Sequence, residues 1–285
     1  NTKMYHIMKR FFAFLLFGVI LMTVQLQQAG AQTVDDEIYT KQNVPNKRPI
    51  KYVSLREADV MWSKKLWQMI DCRKKMNQVL YFPKDDMDDR KSLIQLIMHG
   101  VNNEGLTAYQ TDLFKEIMTR DEVYESLGAG EETREILQAD GTTKDTTITT
   151  DVRYEEIKKY MIKEQWYFDR KYSDMRVRIV GICPIREYID DDTGEKRKSK
   201  PFWIYFPEAR PLFSNWEVFN RHNDAQRISY DDYFQQRRFN SYVVQESNVY
   251  GNRLIDEYTT GINTLLEARK IRMDIFEFEH DLWEY

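Results

Sequence analysis

Two cysteines are the residues of this chain that could form a covalent cross-link. Cys72 and Cys183 are its only thiols, and in an oxidising compartment two thiols can form a disulfide bond. A bridge requires Cα atoms within about 7 Å of each other, a distance that sequence does not determine. Two interpretations therefore stay open: a Cys72–Cys183 disulfide, or two separately buried small apolar side chains.

Carboxylates and imidazoles form the second group of reactive side chains. Four aspartates lie within Asp85–Asp89, but hard-cation loops alternate ligands with spacers and turn at a glycine, and this run does neither. We interpret the run as a solvated helix start, where carboxylates interact favourably with the helix dipole. His99, His222 and His280 lie far apart in the sequence. We expect no metal site and no cofactor.

No local motif indicates a catalytic centre. The sequence contains no G-x-S-x-G, no P-loop, no H-E-x-x-H and no C-x-x-C. Catalysis requires a convergent acid, base or nucleophile, and the chain has no recognisable local arrangement of one. We predict that the protein is not an enzyme. An exported hydrolase with a site assembled from distant residues is the alternative that motifs leave open.

The first 31 residues have the features of a secretory signal peptide. Lys9 and Arg10 precede an uncharged run from Phe11 to Val24, and Ala29-Gly30-Ala31 offers an A-x-A cleavage site. The run is shorter than the roughly 20 apolar residues that span a bilayer. We therefore expect export followed by cleavage near Ala31.

The mature chain is expected to begin at Gln32 without a lipid anchor, because lipidation requires a cysteine directly after the cleavage site. Met8 is the expected start, which makes residues 1–7 an upstream extension. Three of the 42 basic residues lie in this leader, which leaves 39 against 46 acidic residues and a formal charge of −7. Such a chain has no net basic field to attract nucleic acid or anionic lipid.

The remaining composition predicts a folded α+β protein. About 250 residues, with 42% hydrophobic residues overall, suffice for a sizeable core. We expect several amphipathic helices packed with a small, mostly antiparallel sheet. The predicted parts are an extended arm (32–53), an N-terminal helical lobe (54–127), a loop (128–150) and a C-terminal α+β lobe (151–285) that ends in a long helix.

The arm is the first candidate for partner contact. Pro45 and Pro49 favour extended backbone in the residues before them, and residues 32–53 have neither helical nor alternating periodicity. Extended segments can cover a large surface and become ordered on binding. We therefore expect the arm, which includes Tyr52, to lie across an adjacent subunit.

A strong helix is predicted directly after the arm. Ser54 and Glu57 have the spacing of a capping box, and apolar residues from Leu55 to Met76 recur at steps of three and four. Trp62 lies on this stripe. We interpret it mainly as a core residue and also as a candidate for contact with a partner. Trp67 lies off the stripe and is the better candidate for a second contact surface.

The rest of the chain is predicted to mix helices and short strands. The predicted strands cover Leu80–Pro83, Tyr242–Val244 and a hairpin over 175–206, which joins Met175–Ile179 to Phe202–Phe206. One predicted helix ends near Gly100, and another follows a capping box at Thr119. Three further helices are predicted over Tyr154–Tyr172, Ser229–Phe239 and Leu254–Phe278. The apolar side of the last helix is predicted to contain Tyr258, Ile262, Leu265, Leu266, Met273 and Phe276.

A basic cluster marks the end of the predicted hairpin. Lys196, Arg197, Lys198 and Lys200 lie within five residues. Such a cluster is typical of a solvated hairpin end. It also fits an acidic partner or an anionic cell-wall polymer, and the alternative function is therefore a periplasmic peptidoglycan or glycan binding module.

Several long runs, in order along the chain, resemble the GldN/PorN family of gliding-motility and type IX secretion proteins. These runs are Lys47–Tyr52, Leu55–Lys64, Asp71–Pro83, Asn223–Arg227 and Gln245–Tyr250. Together they extend across most of the mature chain. Their length makes the resemblance more specific than any short motif.

The resemblance implies a structural subunit of a protein-export machine in the periplasm, at the inner face of the outer membrane. Family members associate with a partner outer-membrane lipoprotein, GldK or PorK, to form a large ring. They are thought to connect with periplasmic parts of the motor proteins GldL and GldM or their Por counterparts. The resemblance thus implies membrane contact through a lipidated neighbour, further copies of the chain in the ring, and no catalytic residues.

Overall fold

The fold is described by a computed structural model for residues 44, 46–85, 87, 90–137, 143–150, 152–190, 194–220, 222–223 and 225–282. These residues belong to one compact unit, Gln42–Tyr285. The predicted signal peptide, residues 32–43 of the predicted arm, and Pro45 lie outside the described residues.

An eight-stranded antiparallel sheet forms the centre of the described chain. The described residues form twelve strands in all: β1 (Val60–Asp71), β2 (Ala108–Tyr109), β3 (Ile117–Met118), β4 (Gly130–Leu137), β5 (Thr143–Thr150), β6 (Ile157–Asp169), β7 (Asp174–Ile189), β8 (Lys196–Ser199), β9 (Trp203–Tyr205), β10 (Glu217–Val218), β11 (Ile228–Ser229) and β12 (Ser241–Glu246). The sheet order is β12-β1-β6-β7-β9-β2-β3, and β8 also pairs with β7. Two separate two-stranded sheets consist of β4 with β5 and β10 with β11.

Five α-helices accompany the sheet within the described residues, so the predicted α+β class is confirmed. They are α1 (Leu93–Asn103), α2 (Arg120–Ser126), α3 (Phe206–Asn215), α4 (Tyr230–Gln235) and α5 (Ile262–Asp281). The predicted capping box at Thr119 is present, with Glu122 as its reciprocal partner at the start of α2. Ser92 and Gln95 form another at the start of α1, which satisfies backbone N–H groups that the first helical turn leaves free.

The predicted helix after Ser54 is wrong, because this segment forms strand β1. Leu66 and Ile70 are four residues apart, a spacing that fits one face of a helix and equally one face of a strand. In the structure Leu66 and Trp67 point to opposite faces and both are buried. Strand β1 pairs with β6 on one side and with β12 on the other. The predicted helical lobe 54–127 is therefore not separate, since its first element lies inside the common sheet.

Three further predictions about local structure are wrong. Residues 157–169, predicted as a helix, form strand β6 and pair with β7 along nearly their whole length. The predicted loop 128–150 contains the β4–β5 hairpin. The predicted strand Leu80–Pro83 is instead a 3-10 turn over Gln78–Leu80. Strand preference depends on cross-strand packing and burial, which the periodicity of one segment does not encode.

The predicted antiparallel pairing within 175–206 is confirmed between β7 and β9, but Met175–Ile179 pair with β6 and not with Phe202–Phe206. Gly181 and Ile182 of β7 are opposite Tyr205 and Ile204 of β9. Strand β8, which the sequence does not predict, lies between β7 and β9 in sequence and pairs with the end of β7. The predicted strand Tyr242–Val244 and the helix after Ser229 are also present, as β12 and α4.

Three apolar clusters cover the two faces of the sheet. The largest places α1, α3 and α4 against the face of β1 that carries Ile70, and it contains many aromatic rings: Tyr160, Phe202, Phe206, Phe213, Tyr230 and Phe234. A second cluster joins α5 to the same face at Leu66 and Val243. The third covers the opposite face and includes Trp67, Met161, Cys183, Ile185 and Trp203. Both faces of the central strands are therefore buried.

Candidate docking surfaces

The two cysteines are free thiols in the structure. Cys72 packs in the cluster of α1, α3 and α4, whereas Cys183 packs in the cluster on the opposite face of the sheet. Burial raises the pKa of the Cys72 thiol to about 12 and also raises the pKa of the Cys183 thiol. Since the thiolate is the reactive form, both side chains are poor nucleophiles. Of the two open interpretations, separate burial is the one that the structure supports.

Trp62 and Trp67, the two candidate contact tryptophans, both pack within the chain. The Trp62 ring stacks on Phe278 of α5, with 4.8 Å between ring centroids. Trp67 is only 3% exposed, and its indole N–H donates to Asp112 Oδ2 over 3.1 Å. Lys163 Nζ lies 5.2 Å from the centre of the Trp67 ring. The predicted contact surface at Trp67 is wrong, because the face of the sheet that carries it is covered.

The described part of the arm packs on its own chain. The Tyr52 ring lies 4.2 Å from the guanidinium carbon of Arg210 and 4.9 Å from that of Arg178. Its hydroxyl accepts a hydrogen bond from Gln235 Nε2 over 3.1 Å, and burial raises its pKa. Pro49 is half-buried. Tyr52 is thus occupied by intramolecular contacts, contrary to the expectation that this part of the arm lies across a neighbour.

The basic cluster lies on the short strand β8. Lys196, Arg197 and Lys198 are exposed, and Arg197 forms an ion pair with Asp190 over 2.9 Å. Lysine-rich edge strands discourage further strand pairing. The cluster therefore lies at a solvated hairpin end, which is one of the two interpretations that the sequence leaves open.

An apolar groove, which the sequence does not predict, lies beside the turn at Gln78–Leu80. Its volume is about 510 Å³. Phe82, Met87 and Phe219 line it and are partly exposed, and Arg90 stacks over the Phe219 ring at 4.8 Å. Its lining is mainly apolar, so it fits a hydrophobic side chain better than a polar metabolite.

The outward face of α5 is an apolar surface on a regular element of the described chain. Ala268, Ile271 and Ile275 point inward and pack against Leu66 and Val243 of the sheet. A second apolar stripe points away from the fold; its exposed fractions are 76% for Ile262, 61% for Leu265, 57% for Leu266, 41% for Met273 and 59% for Phe276. We refer to these five residues as the outward stripe.

The outward stripe contains most of the residues predicted as the apolar side of the last helix. The helix itself is confirmed, although it begins at Ile262 instead of Leu254. Because α5 is apolar on two faces, periodicity alone does not tell which face is buried. The face that packs on the sheet contains Ala268, Ile271 and Ile275.

The groove and the outward stripe are suited to binding a partner by burial of apolar area. Within the described ranges, no three His, Cys, Asp or Glu side chains are grouped to hold a metal ion. Among the helices of the described chain, none is both long and apolar enough to cross a bilayer. The outward stripe places five partly exposed apolar side chains on one helix.

A family comparison covers nearly the whole described fold. The sequence profile of the family described as gliding motility associated protein GldN matches residues 55–284. The chain belongs to the GldN family. The match extends from the segment before β1 to the end of α5, so the sheet and the outward stripe both lie within the family region. No curated protein matches this GldN-family chain. The resemblance seen in the sequence is confirmed, and it associates the chain with gliding motility and type IX secretion.

Proposed function

We propose that this GldN-family chain is a non-enzymatic structural subunit of the type IX secretion and gliding machinery. In this proposal it assembles with an outer-membrane lipoprotein of the GldK/PorK type, and with further copies of itself, into a periplasmic ring. The observation that carries the proposal is the outward stripe of α5, whose five apolar side chains are 41–76% exposed in the described chain. Family membership supports the association with motility.

The energetics of the outward stripe favour a docking role. Burying one large apolar side chain contributes about 1.5–3 kcal/mol, whereas association costs about 4–15 kcal/mol in lost freedom of motion. Five such side chains on one helix offset a large part of that cost. Covering this surface with a complementary partner removes apolar area from water and so lowers the free energy of the complex.

The proposed location is the inner face of the outer membrane. The signal-like leader over residues 1–31 supports export, and Gln32 in place of a lipidated cysteine supports attachment through a lipidated neighbour. Periplasmic parts of GldL- and GldM-type motor proteins are further proposed partners. Neither nucleic acid nor direct membrane contact is part of the proposal, since the mature chain is net acidic.

Replacing Leu266 and Phe276 together with aspartate is expected to abolish function in cells without unfolding the protein. Both side chains are exposed, so the substitutions leave the core intact, but they place carboxylates in the proposed contact. We expect normal accumulation of the variant and at least a tenfold loss of gliding and of type IX cargo secretion, measured after chromosomal replacement.

The matched control replaces Asn263 with aspartate and Lys270 with glutamine. These exposed residues lie on α5 outside the outward stripe, and the pair changes the net charge by the same amount. Control cells should glide and secrete normally. Normal gliding and secretion by the Leu266→Asp, Phe276→Asp variant would refute the docking role of the outward stripe.

A further inference from the structure

The exposed side of α5 has the spacing of a coiled-coil seam. Successive residues on it are separated by four, three, four, three and four positions, and all are exposed: Ile262, Leu266, Arg269, Met273, Phe276 and His280. Alternating steps of four and three are those of the a and d positions of a heptad repeat, which keep one side of a helix against a partner helix. The seam covers about 27 Å at 1.5 Å rise per residue. Its geometry thus fits a partner helix of about five turns.

A cation interrupts the apolar seam near its middle. Arg269 is exposed and lies between Leu266 and Met273 along the seam. In the part of the chain that the structure describes, no carboxylate forms an ion pair with Arg269. Arg272, one turn along and beside the seam, donates to the backbone carbonyl of Ser241 over 2.8 Å and is held by the sheet. Arg269 is therefore the charge that an incoming helix has to accommodate.

A second copy of the chain accommodates Arg269 poorly in the two arrangements that align the seam with itself over its whole length. In a parallel pair of α5 helices the two Arg269 side chains would face each other directly. In an antiparallel pair centred on the seam, Arg269 of one copy would face Met273 of the other. The two guanidinium groups would then be about 6 Å apart along the helix axis, within the roughly 8–10 Å range of unscreened repulsion. Both arrangements bring like charges together in an apolar contact.

A carboxylate opposite Arg269 removes this cost. The guanidinium can form charge-assisted, bidentate hydrogen bonds with Asp or Glu. A polar pair within an apolar seam also specifies the register and the partner.

We propose that the outward face of α5 binds an amphipathic helix of a different protein, with apolar residues at heptad spacing and an Asp or Glu placed opposite Arg269. This inference rests on the proposed function, since it takes the occupant to be another component of the same machinery. It assigns the outward stripe to heterologous contact and leaves contacts between copies to other surfaces. Helix-on-helix recognition of this kind is a common mode of peptide binding.

The test uses the full-length purified protein and two synthetic helical peptides of 21 residues. Both peptides carry Leu and Ile at seam positions, and they differ only at the central seam residue, which is Glu in one and Lys in the other. Fluorescence anisotropy with labelled peptides should give a Kd at least tenfold lower for the Glu peptide. Arg269→Glu should reverse this preference, and the matched Lys270→Glu, one residue away and outside the seam, should leave it unchanged.

Two results would overturn the inference. The first is equal binding of both peptides, or of neither, by the unmodified protein. The second is a dimer of the purified chain, seen by sedimentation equilibrium, that Leu266→Asp dissociates, because this would assign the face to a second copy. If either occurs while the aspartate variant of Leu266 and Phe276 still abolishes gliding, the docking function stands and only the occupant is wrong. A clear Glu preference with unimpaired gliding of that variant would refute the proposed function instead.

Discussion

Replacing Trp67 with alanine should lower the free energy of unfolding by about 3–5 kcal/mol, the usual cost of removing a buried Trp ring. The side chain is 3% exposed and packs with Met161 and Trp203. Its loss would also remove the N–H that donates to Asp112 and the ring beneath Lys163. Chemical denaturation of the full-length chain, followed by circular dichroism, measures the change.

Tyr250→Ala serves as the control for this prediction. Tyr250 is also a large aromatic residue but is 70% exposed, so its removal should change stability by no more than about 0.5 kcal/mol. The alternative expectation is that Trp67 anchors a partner. Unchanged stability of Trp67→Ala together with weakened partner binding would support that alternative and contradict the packing described here.

Replacing Glu164 with leucine should lower the free energy of unfolding by about 3 kcal/mol, toward the lower end of the range for breaking a buried ion pair. The carboxylate is fully buried and accepts hydrogen bonds from four donors. Arg237 supplies two, at 2.7 and 3.3 Å, while Gln68 and Trp166 supply one each, at 2.7 and 3.1 Å. Without Glu164 these donors lose their acceptor. The guanidinium can partly turn to water, since its side chain is 31% exposed.

The double variant Glu164→Leu, Arg237→Met separates this explanation from a simple packing defect. Removing both partners of a buried ion pair is often nearly neutral, because no unpaired charge remains. We therefore expect the double variant to regain most of the lost stability in the same denaturation experiment. A double variant as unstable as the single one would show that the ion pair is not the cause.

Local signals in the sequence predict the local parts of this fold. The Thr119 capping box, the antiparallel pairing within 175–206 and the helix over 262–281 depend on residues close together in the chain, and all three are present. Strands β1 and β6 were not predictable in this way. They pair with each other across about 100 residues of sequence, and each has buried residues on both faces, so the alternation that identifies a half-buried strand is lost.

The candidate docking surface was only half predictable. The residues of the outward stripe stand out in the sequence as an apolar side of a long helix. The sequence does not show which of the two apolar faces of α5 is buried. In the structure the face with Ala268, Ile271 and Ile275 packs on Leu66, and the other face stays exposed. Conversely, the prediction that Trp67 is exposed depends on a helix in this segment, and the segment is strand β1.

Affinity capture of the tagged full-length chain from detergent-solubilised envelope tests the central claim most directly. We expect one outer-membrane lipoprotein to elute with the chain at a fixed stoichiometry. The same capture with Leu266→Asp, Phe276→Asp should lose a component that the Asn263→Asp, Lys270→Gln control retains. Elution of the chain alone, or with peptidoglycan and no lipoprotein, would contradict the account of a structural docking subunit.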